Sequence, residues 1–185
     1  MIVNRDEALE LVKSNVSNQN LVNHMLASEA MLRALARRLG QAEDSWGLAG
    51  LLHDIDYEAT KDEPSRHSLV GAQILADNGI DPEIVYAVKV HNEAHGEPRK
   101  SALDTALYAG ESLTGLIIAA ALVRPEKKLS SVTLDSVMKR FGEKAFARGA
   151  NREQIATCTE LGLELREFVE VGLLAMQGIS LELGL

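Results

Sequence analysis

The sequence predicts an all-α protein, a single-domain helical bundle, and three observations support this fold class. Apolar residues recur at spacings of three and four along most of the chain, as in helices with one buried face. The alternation typical of strands is confined to short runs such as residues 131–134. Finally, 185 residues suffice for one full core and are too few for two large ones.

The predicted helices follow from this periodicity and from the residues at their ends. The first covers residues 21–39, with Asn20 expected as its N-cap and Gly40 as its C-terminal stop. Pro82 suits the first turn of a later helix, and Pro125 follows the end of another. The remaining predicted helices cover residues 44–53, 66–78, 82–91, 103–123, 134–141 and 152–176.

Composition limits the class and location of the protein. Hydrophobic residues make up 46% and charged residues 25%, as in soluble globular proteins. No apolar run reaches the roughly 18 to 20 residues of a membrane span, and residues 1–6 contain no stretch of signal-peptide length. We therefore expect a cytoplasmic protein that does not bind membranes. The single cysteine, Cys158, is expected to be a buried structural thiol without a disulfide partner in the chain.

The net charge of −8 conceals an uneven distribution. Residues 124–152 contain eight Lys or Arg and three Asp or Glu, whereas the rest of the chain is strongly acidic. A basic segment can attract phosphorylated ligands or nucleic acid. Few aromatic residues and a pI near 5.2 make nucleic acid an unexpected partner, so a solvated helical face is favoured. The acidic last helix (Glu160, Glu164, Glu167, Glu170) could pair with this segment within the chain or across a homodimer.

The histidines carry the strongest functional signal. The pair His53-Asp54 closes the apolar run 48–52, and the polar residues that follow it suggest that a buried helix ends there. Both side chains can then face one cavity. Imidazole suits zinc and transition metals, and carboxylate also tolerates harder ions. The pattern therefore indicates a metal site without specifying the metal.

The chain resembles the HD superfamily of metal-dependent phosphohydrolases in the order of its histidines. His24 precedes the doublet His53-Asp54, and His67 and His91 follow it. The segment from His67 to Leu75 is similar to the His-x-x-x-Gly-Ala-x-Ile-Leu element of members that bind two metals. The resemblance covers about residues 20–121 and leaves a C-terminal helical extension, about 124–185, without a signature. The motif positions are His24, His53, Asp54, His67 and His91.

The resemblance implies one or two divalent ions (Mn, Mg, Zn, Ni or Fe). His24, His53 and Asp54 would bind the first ion, together with a carboxylate that is usually an aspartate in the family. Here Glu111 stands at that motif position, and Asp104 competes with it, two helical turns earlier on the same face. Motif position favours Glu111. A second ion would be held through His67 and His91, with Asp54 bridging.

Other polar residues around the doublet are candidates for proton transfer and phosphate binding. The catalytic set predicted from the sequence is Asp54, Glu58 for proton transfer and Lys61 for phosphate binding, with Arg66 as a second phosphate-binding candidate. A solvated acidic loop of Asp56, Glu58, Asp62 and Glu63 is the favoured alternative for Glu58. Tyr57 either stacks on a base or covers the core edge, and His95 is expected to face solvent or substrate.

Three functions fit these observations. The leading hypothesis is a metal-dependent phosphohydrolase whose metal-activated water attacks a small phosphoester, with a nucleotide-like substrate expected. The second is an HD-fold di-iron oxygenase. The third is a regulatory or binding module that retains the metal site without turnover. A cyclic-dinucleotide phosphodiesterase is not expected, because the Gly-Tyr-Pro element of those enzymes is absent after His91.

Overall fold

The fold is built from helices throughout the part of the chain that the structure describes. A computed structural model describes residues 4–185, and no strand occurs among them, so the predicted all-α class is confirmed. Residues 1–3, part of the segment used to predict that no export signal is present, lie outside the described residues. The α-helices are α1 (Arg5–Asn15), α2 (Gln19–Leu39), α3 (Glu43–Leu52), α4 (Tyr57–Thr60), α5 (Leu69–Asp77), α6 (Pro82–Val90), α7 (Ala102–Leu122), α8 (Leu134–Gly142), α9 (Arg152–Ala156), α10 (Leu165–Gly178) and α11 (Ser180–Leu183). Three short 3-10 helices accompany them, at Glu93–His95, Leu129–Ser131 and Thr157–Leu161.

Two long helices, α2 and α7, form the centre of the bundle. Helices α3 and α10 pack on α2, and α7 contacts both α2 and α10. Helix α3 can approach α2 closely because Gly50 lacks a side chain. A Cβ there would lie 2.5 Å from the carbonyl oxygen of Ser28. This close approach positions the end of α3, where His53 and Asp54 stand.

Helix α7 is long and apolar enough to cross a membrane by length and composition alone. However, 72% of its most apolar window is buried inside the bundle. Burial of this kind is typical of a core helix. The apolar character of α7 is therefore accounted for by its central position.

One hydrophobic core includes both the N-terminal helices and the C-terminal extension. It reaches from Ala8 in α1 to Leu183 in α11 and contains the fully buried Phe168 of α10. Cys158 is also fully buried, as predicted, and burial raises the pKa of its thiol. The extension is thus packed into the same core as the segment that carries the histidines.

Two predicted helix-end residues agree with the structure, and a third does not. Helix α2 ends at Gly40, which adopts the left-handed conformation with φ of +67°. Its N-cap is Asn18, whose side chain accepts a hydrogen bond from the backbone N–H of Asn20, so the predicted cap at Asn20 was wrong by one half-turn. Pro82 occupies the first turn of α6, as predicted.

Two of the predicted helices differ from the structure, and one helix was not predicted. The helix predicted at 66–78 begins only at Leu69, because Ser68 has a positive φ of +70°. The helix predicted at 152–176 is interrupted by a 3-10 segment and by Gly162, with φ of +73°. Helix α1 was not predicted, although Asn4 and Glu7 form a capping box at its start.

The acidic side chains of the C-terminal segment pair elsewhere than expected. Glu167 forms an ion pair of 2.6 Å with Arg38 of α2, and Glu160 lies 3.9 Å from Arg99. Neither arginine belongs to the basic segment 124–152. The one ion pair between α10 and that segment, among residues 4–185, runs from Arg166 to Asp135 and has the opposite polarity.

Candidate metal centre

Five helices bring the predicted metal ligands to one cleft of about 570 Å³. The ligands come from the interior of α2 and α7, from the residues that follow α3 and α6, and from the loop before α5. Both helices that end at a ligand stop one residue before it, so its side chain turns into the cleft. The residues brought together are His24, His53, Asp54, His67, His91 and Glu111.

The donor atoms form two groups separated by Asp54. His24, His53 and Glu111 have donor atoms within 4.8 Å of one another, and we call them the His24 half. His67 and His91, which group with Asp54 in the same way, form the His67 half.

Each carboxylate oxygen of Asp54 faces one half. Its Oδ2 lies 3.8 Å from His24 Nε2 and 3.6 Å from His53 Nε2. Its Oδ1 lies 3.4 Å from His67 Nε2 and 3.6 Å from His91 Nε2. This is the arrangement that a bridging carboxylate requires.

Hydrogen bonds from Nδ1 set the tautomers of three imidazoles. His53 Nδ1 is 2.8 Å from the carbonyl oxygen of Gly50, and His91 Nδ1 is 2.6 Å from that of Val88. A carbonyl only accepts, so both Nδ1 atoms carry the proton. His67 Nδ1 donates in the same way to Asp56 Oδ1, at 2.9 Å. The Nε2 atoms that point into the cleft therefore offer lone pairs, as metal ligands do.

His24 follows the same rule through a hydroxyl. The Oγ1 of Thr114 donates to the carbonyl oxygen of Glu111, at 2.8 Å, and so accepts from His24 Nδ1, at 3.2 Å. His24 Nε2 then also presents a lone pair, only 3.2 Å from the Nε2 lone pair of His53. Two lone pairs at this distance repel each other unless a cation lies between them. The donor set thus fits a bound metal ion.

Burial and the neighbouring charged groups together control the protonation of the cluster. It lowers the pKa of His53 to about 3, so this imidazole is neutral at neutral pH. Burial disfavours the Asp54 carboxylate, yet the surrounding imidazoles, His53 foremost, hold the pKa of Asp54 below its usual range once acid protonates them. Burial raises the pKa of Glu111. A neutral imidazole and an ionised carboxylate are the forms that bind metals.

The walls of the cleft are acidic. Asp54, Glu93 and Glu111 line it, and none of the lining residues in the described part of the chain is a lysine or an arginine. A phosphate would be repelled by these carboxylates alone. Positive charge from bound ions would reverse that repulsion, which is a second reason why the residues present fit a metal.

Asp56 was expected in a solvated acidic loop, and this expectation was wrong. Its side chain is fully buried. One carboxylate oxygen accepts from His67 Nδ1, and the other accepts from the backbone N–H of Gly71, at 2.7 Å. A Cβ at Gly71 would lie 3.2 to 3.4 Å from this carboxyl group. The motif glycine therefore leaves room for the residue that orients His67.

Glu58 and Arg66 are not brought to the cluster. The Glu58 carboxylate accepts hydrogen bonds from the backbone N–H and hydroxyl of Ser17 and from the backbone N–H of Asn18, at 2.5 to 3.2 Å. Arg66 pairs with Glu63 at the surface. Neither side chain faces the cleft.

Lys61 lies in a side pocket of about 380 Å³ that adjoins the cleft. Tyr57, His67 and Asn92 line both spaces. Tyr57 is 48% exposed, and its ring packs edge-on to the His67 ring, with centroids 5.2 Å apart. It therefore covers the metal cluster and still offers a face to a ligand.

Two other predicted candidates have structural contacts instead. Asp104 closes a capping box with Ser101 at the start of α7, and its Oδ2 accepts from the backbone N–H groups of Lys100 and Ser101. It is absent from the cluster, which leaves Glu111 as the α7 carboxylate there. His95 was expected to face solvent or substrate, but its Nε2 lies 2.7 Å from the carbonyl oxygen of His67 and the residue is half-buried.

An uncharged residue that was not predicted from the sequence, Gln154, lies beside Glu111. Gln154 of α9 lines the cleft, and its amide contacts both Glu111 and the carbonyl oxygen of Tyr108. The Tyr108 hydroxyl donates to Glu93 at the cleft wall, and burial raises the pKa of Tyr108 to about 12. No sequence pattern marks a lone glutamine as part of a metal centre.

Residues 143–151 form a loop beside the cleft, and Arg152 organises it. Its guanidinium donates to six backbone carbonyl oxygens of the α8 end and this loop, at 2.6 to 3.4 Å. Gly149 of the loop lines the cleft. Arg152 therefore departs from the solvated basic face expected for residues 124–152.

The chain belongs to the HD domain family. The family profile matches residues 21–130, which is more than half of the chain and includes all six clustered residues. The resemblance to metal-dependent phosphohydrolases is thereby confirmed. Residues of α8 to α11 lie beyond the match.

The chain is similar to several proteins named ribonuclease Y. That of Oleidesulfovibrio alaskensis is 29% identical over 153 residues, covering 82% of this chain and 27% of that protein. Those of Nitratidesulfovibrio vulgaris (strain DP4) and Geobacter sulfurreducens are 33% and 30% identical over 98 residues, covering 53% of this chain and 18% of each relative. The chain thus spans about a quarter or less of these relatives. No solved structure matches it.

Proposed function

We propose that this protein is a metal-dependent phosphohydrolase that cleaves a nucleotide-like phosphoester with an activated water. The observation that carries the proposal is the position of Asp54. Each of its carboxylate oxygens faces a pair of imidazole Nε2 atoms, at 3.4 to 3.8 Å. Family membership supports the same class of reaction.

The chain's own residues would bind and orient the reactants. His24, His53, Asp54 and Glu111 would hold one ion, and Asp54 with His67 and His91 would hold a second. Bound divalent ions would lower the pKa of a coordinated water and neutralise charge on the phosphate. The fixed tautomers keep the Nε2 lone pairs directed at the ions, so little reorganisation is needed for binding.

The side pocket gives the rest of the substrate a place to bind. It adjoins the His67 half, and its lining includes the cation Lys61 and the exposed residue Tyr57. A planar base could stack on the Tyr57 ring while Lys61 meets a second anionic group. Its volume and that of the cleft lie within the usual range for small-molecule sites.

Cleavage of RNA is a second candidate, supported by the relatives. They are named ribonuclease Y and are about 30% identical to this chain. The two candidates share the metal chemistry and differ only in the size of the substrate. An assay that compares both substrates separates them.

The test begins with metal content, measured by elemental analysis on untagged protein purified without added metal. Phosphate or nucleotide release is then measured from mononucleotides, dinucleotides and short RNA, with Mn²⁺, Mg²⁺, Zn²⁺, Ni²⁺ or Fe²⁺. We expect turnover that requires a divalent ion. Asp54→Asn should lower it on the order of 10³-fold, because several kcal/mol of charge stabilisation is lost. Asp62→Asn, the same change at an exposed residue, is the matched control.

Each alternative has its own outcome. Undiminished turnover in Asp54→Asn contradicts the proposal. Two irons per chain with oxygen consumption and no phosphate release would identify the oxygenase. Bound metal without turnover of any substrate would identify a binding module. RNA cleavage without turnover of mononucleotides would select the second candidate.

A further inference from the structure

We propose that Gln154 is a positioning residue for Glu111, so that the C-terminal extension completes the metal centre. The inference rests on the metal binding in the proposed function. Gln154 lies beyond the segment 21–130 that matches the family. Three observations support the inference: the hydrogen bonds of Gln154, the contacts that fix helix α9, and the presence of a glutamate, Glu111, at the contacted position.

Every polar atom of the Gln154 amide has a partner. The side chain is buried, with 8% exposure. Its Nε2 donates to Glu111 Oε1 and to the carbonyl oxygen of Tyr108, the latter at 2.7 Å. Its Oε1 accepts from the hydroxyl of Ser112, at 3.1 Å. Two acceptors on one side and a donor on the other fix the orientation of the amide.

This contact selects one rotamer of Glu111. Because Oε1 is bound by Gln154, Oε2 is the oxygen that faces the cluster, 4.0 Å from His24 Nε2. Glutamate has one more rotatable bond than the aspartate usual at this position and therefore loses more freedom when it binds an ion. A partner that already holds the carboxylate lowers that cost.

Helix α9 is itself fixed against α7. The Asn151 side chain caps α9 by accepting from the backbone N–H of Gln154, at 3.2 Å, and the backbone N–H of Asn151 donates to Ser112 Oγ, at 3.3 Å. Arg152 ties the preceding loop to the end of α8. Gln154 thus stands on a held backbone, as a residue that orients a ligand should.

The test is the change Gln154→Met, which keeps the length of the side chain and removes its hydrogen bonds. Binding of Mn²⁺ to the metal-free protein is measured by calorimetric titration. We expect the step that involves the His24 half to weaken by about 10- to 100-fold. The Mn²⁺ affinity of the step that involves the His67 half should stay within about twofold of the parent's.

Gln177→Met is the matched control. Gln177 is a half-buried glutamine whose amide donates to the carbonyl oxygens of Leu129 and Val132, at 3.0 and 3.1 Å, away from the cleft. This variant should lose thermal stability, measured by circular dichroism, without losing Mn²⁺ affinity. An equal loss of affinity in both glutamine variants would assign Gln154 a purely structural role and overturn the inference.

A double-mutant cycle tests whether Gln154 acts through Glu111. In a Glu111→Ala background, Gln154→Met should cause no further loss of affinity. The inference is overturned if Gln154→Met lowers Mn²⁺ affinity as much in the Glu111→Ala background as in the parent. It is also overturned if Gln154→Met alone leaves the affinity unchanged. If the parent binds Mn²⁺ but hydrolyses no phosphoester, the proposed function fails and this test still decides the role of Gln154. If the parent binds no metal, both fail.

Discussion

The two halves of the metal cluster differ in how their ligands are oriented. In the His67 half, the partners are Asp56 and the carbonyl oxygen of Val88, both inside the segment that matches the family. In the His24 half, Glu111 depends on Gln154, which lies 43 residues further along the chain and outside that segment. One half is therefore built locally, and the other needs the extension.

This difference teaches that a family motif need not contain a whole site. The His67 half follows the motif closely, including the glycine that makes room for Asp56. The His24 half contains the departure from the motif, Glu111, and it is there that the extension makes contact. Disturbing each half separately shows whether the two supports are independent.

Among changes that disturb only one half of the cluster, Asp56→Asn is expected to have the largest effect on Mn²⁺ affinity. The amide cannot accept from both His67 Nδ1 and the backbone N–H of Gly71, because one of its two polar atoms is a donor. We expect Mn²⁺ affinity at the His67 half to fall about 10- to 100-fold, measured by calorimetric titration. The His24 half should be unchanged, and loss confined to that half would contradict the comparison.

A smaller effect on metal binding is expected from Arg152→Met. Six part-buried carbonyl oxygens lose their donor, so the free energy of unfolding should fall by about 2 to 3 kcal/mol. The corresponding drop in Tm is roughly 4–12 °C, measured by circular dichroism. The His24 half should weaken by less than about tenfold, because Gln154 stands two residues away.

The control for this variant is Arg148→Met, which changes an exposed arginine of the same loop. It should leave Tm within about 1 °C. If both arginine variants lower Tm equally, the six carbonyl contacts are not the source of the stability.

The smallest effect is expected from Glu58→Gln, which should touch neither half. Turnover and Mn²⁺ affinity should stay within about twofold, because the carboxylate bonds to Ser17 and Asn18 rather than facing the cleft. A large loss of turnover would restore the proton-transfer role predicted from the sequence.

The same variant gives a test of pH dependence. The hydrogen bond from the Ser17 hydroxyl is the main cause that lowers the pKa of Glu58 below its usual value. Its ionised form therefore stabilises the fold above the usual carboxyl pKa, and this contribution is lost as the pH falls through the lowered value. The stability difference between parent and variant, from thermal melts, should be present at neutral pH and shrink in acid.

Much of the fold could be predicted because periodicity and end signals agree. Helix α2 has a long apolar stripe and a terminal glycine, and α6 begins with a proline. The break at Gly162 could not be read in the same way, because apolar residues continue on both sides of it. Ser68 adopts a positive φ that its sequence neighbours do not announce.

The candidate site also contains residues that the sequence predicts and residues that only the fold reveals. The order of the histidines places His24, His53 and His91 in one cluster, because a ligand-rich motif fixes both spacing and residue type. Asp56 stands in a polar stretch, where composition favours solvent, and only the fold shows that it is buried. Gln154 meets Glu111 only through the packing of α9 on α7, a contact that no local pattern encodes.

The uninterrupted course of α7, from Ala102 to Leu122, has a consequence for how the sequence can diverge. Tyr108, Glu111 and Thr114 stand three residues apart on this helix, and each contributes to the cleft or to its hydrogen bonds. One residue inserted or deleted among them would rotate all that follow by about 100°. Natural variants of this chain should therefore change length in the 143–151 loop far more often than between residues 108 and 114.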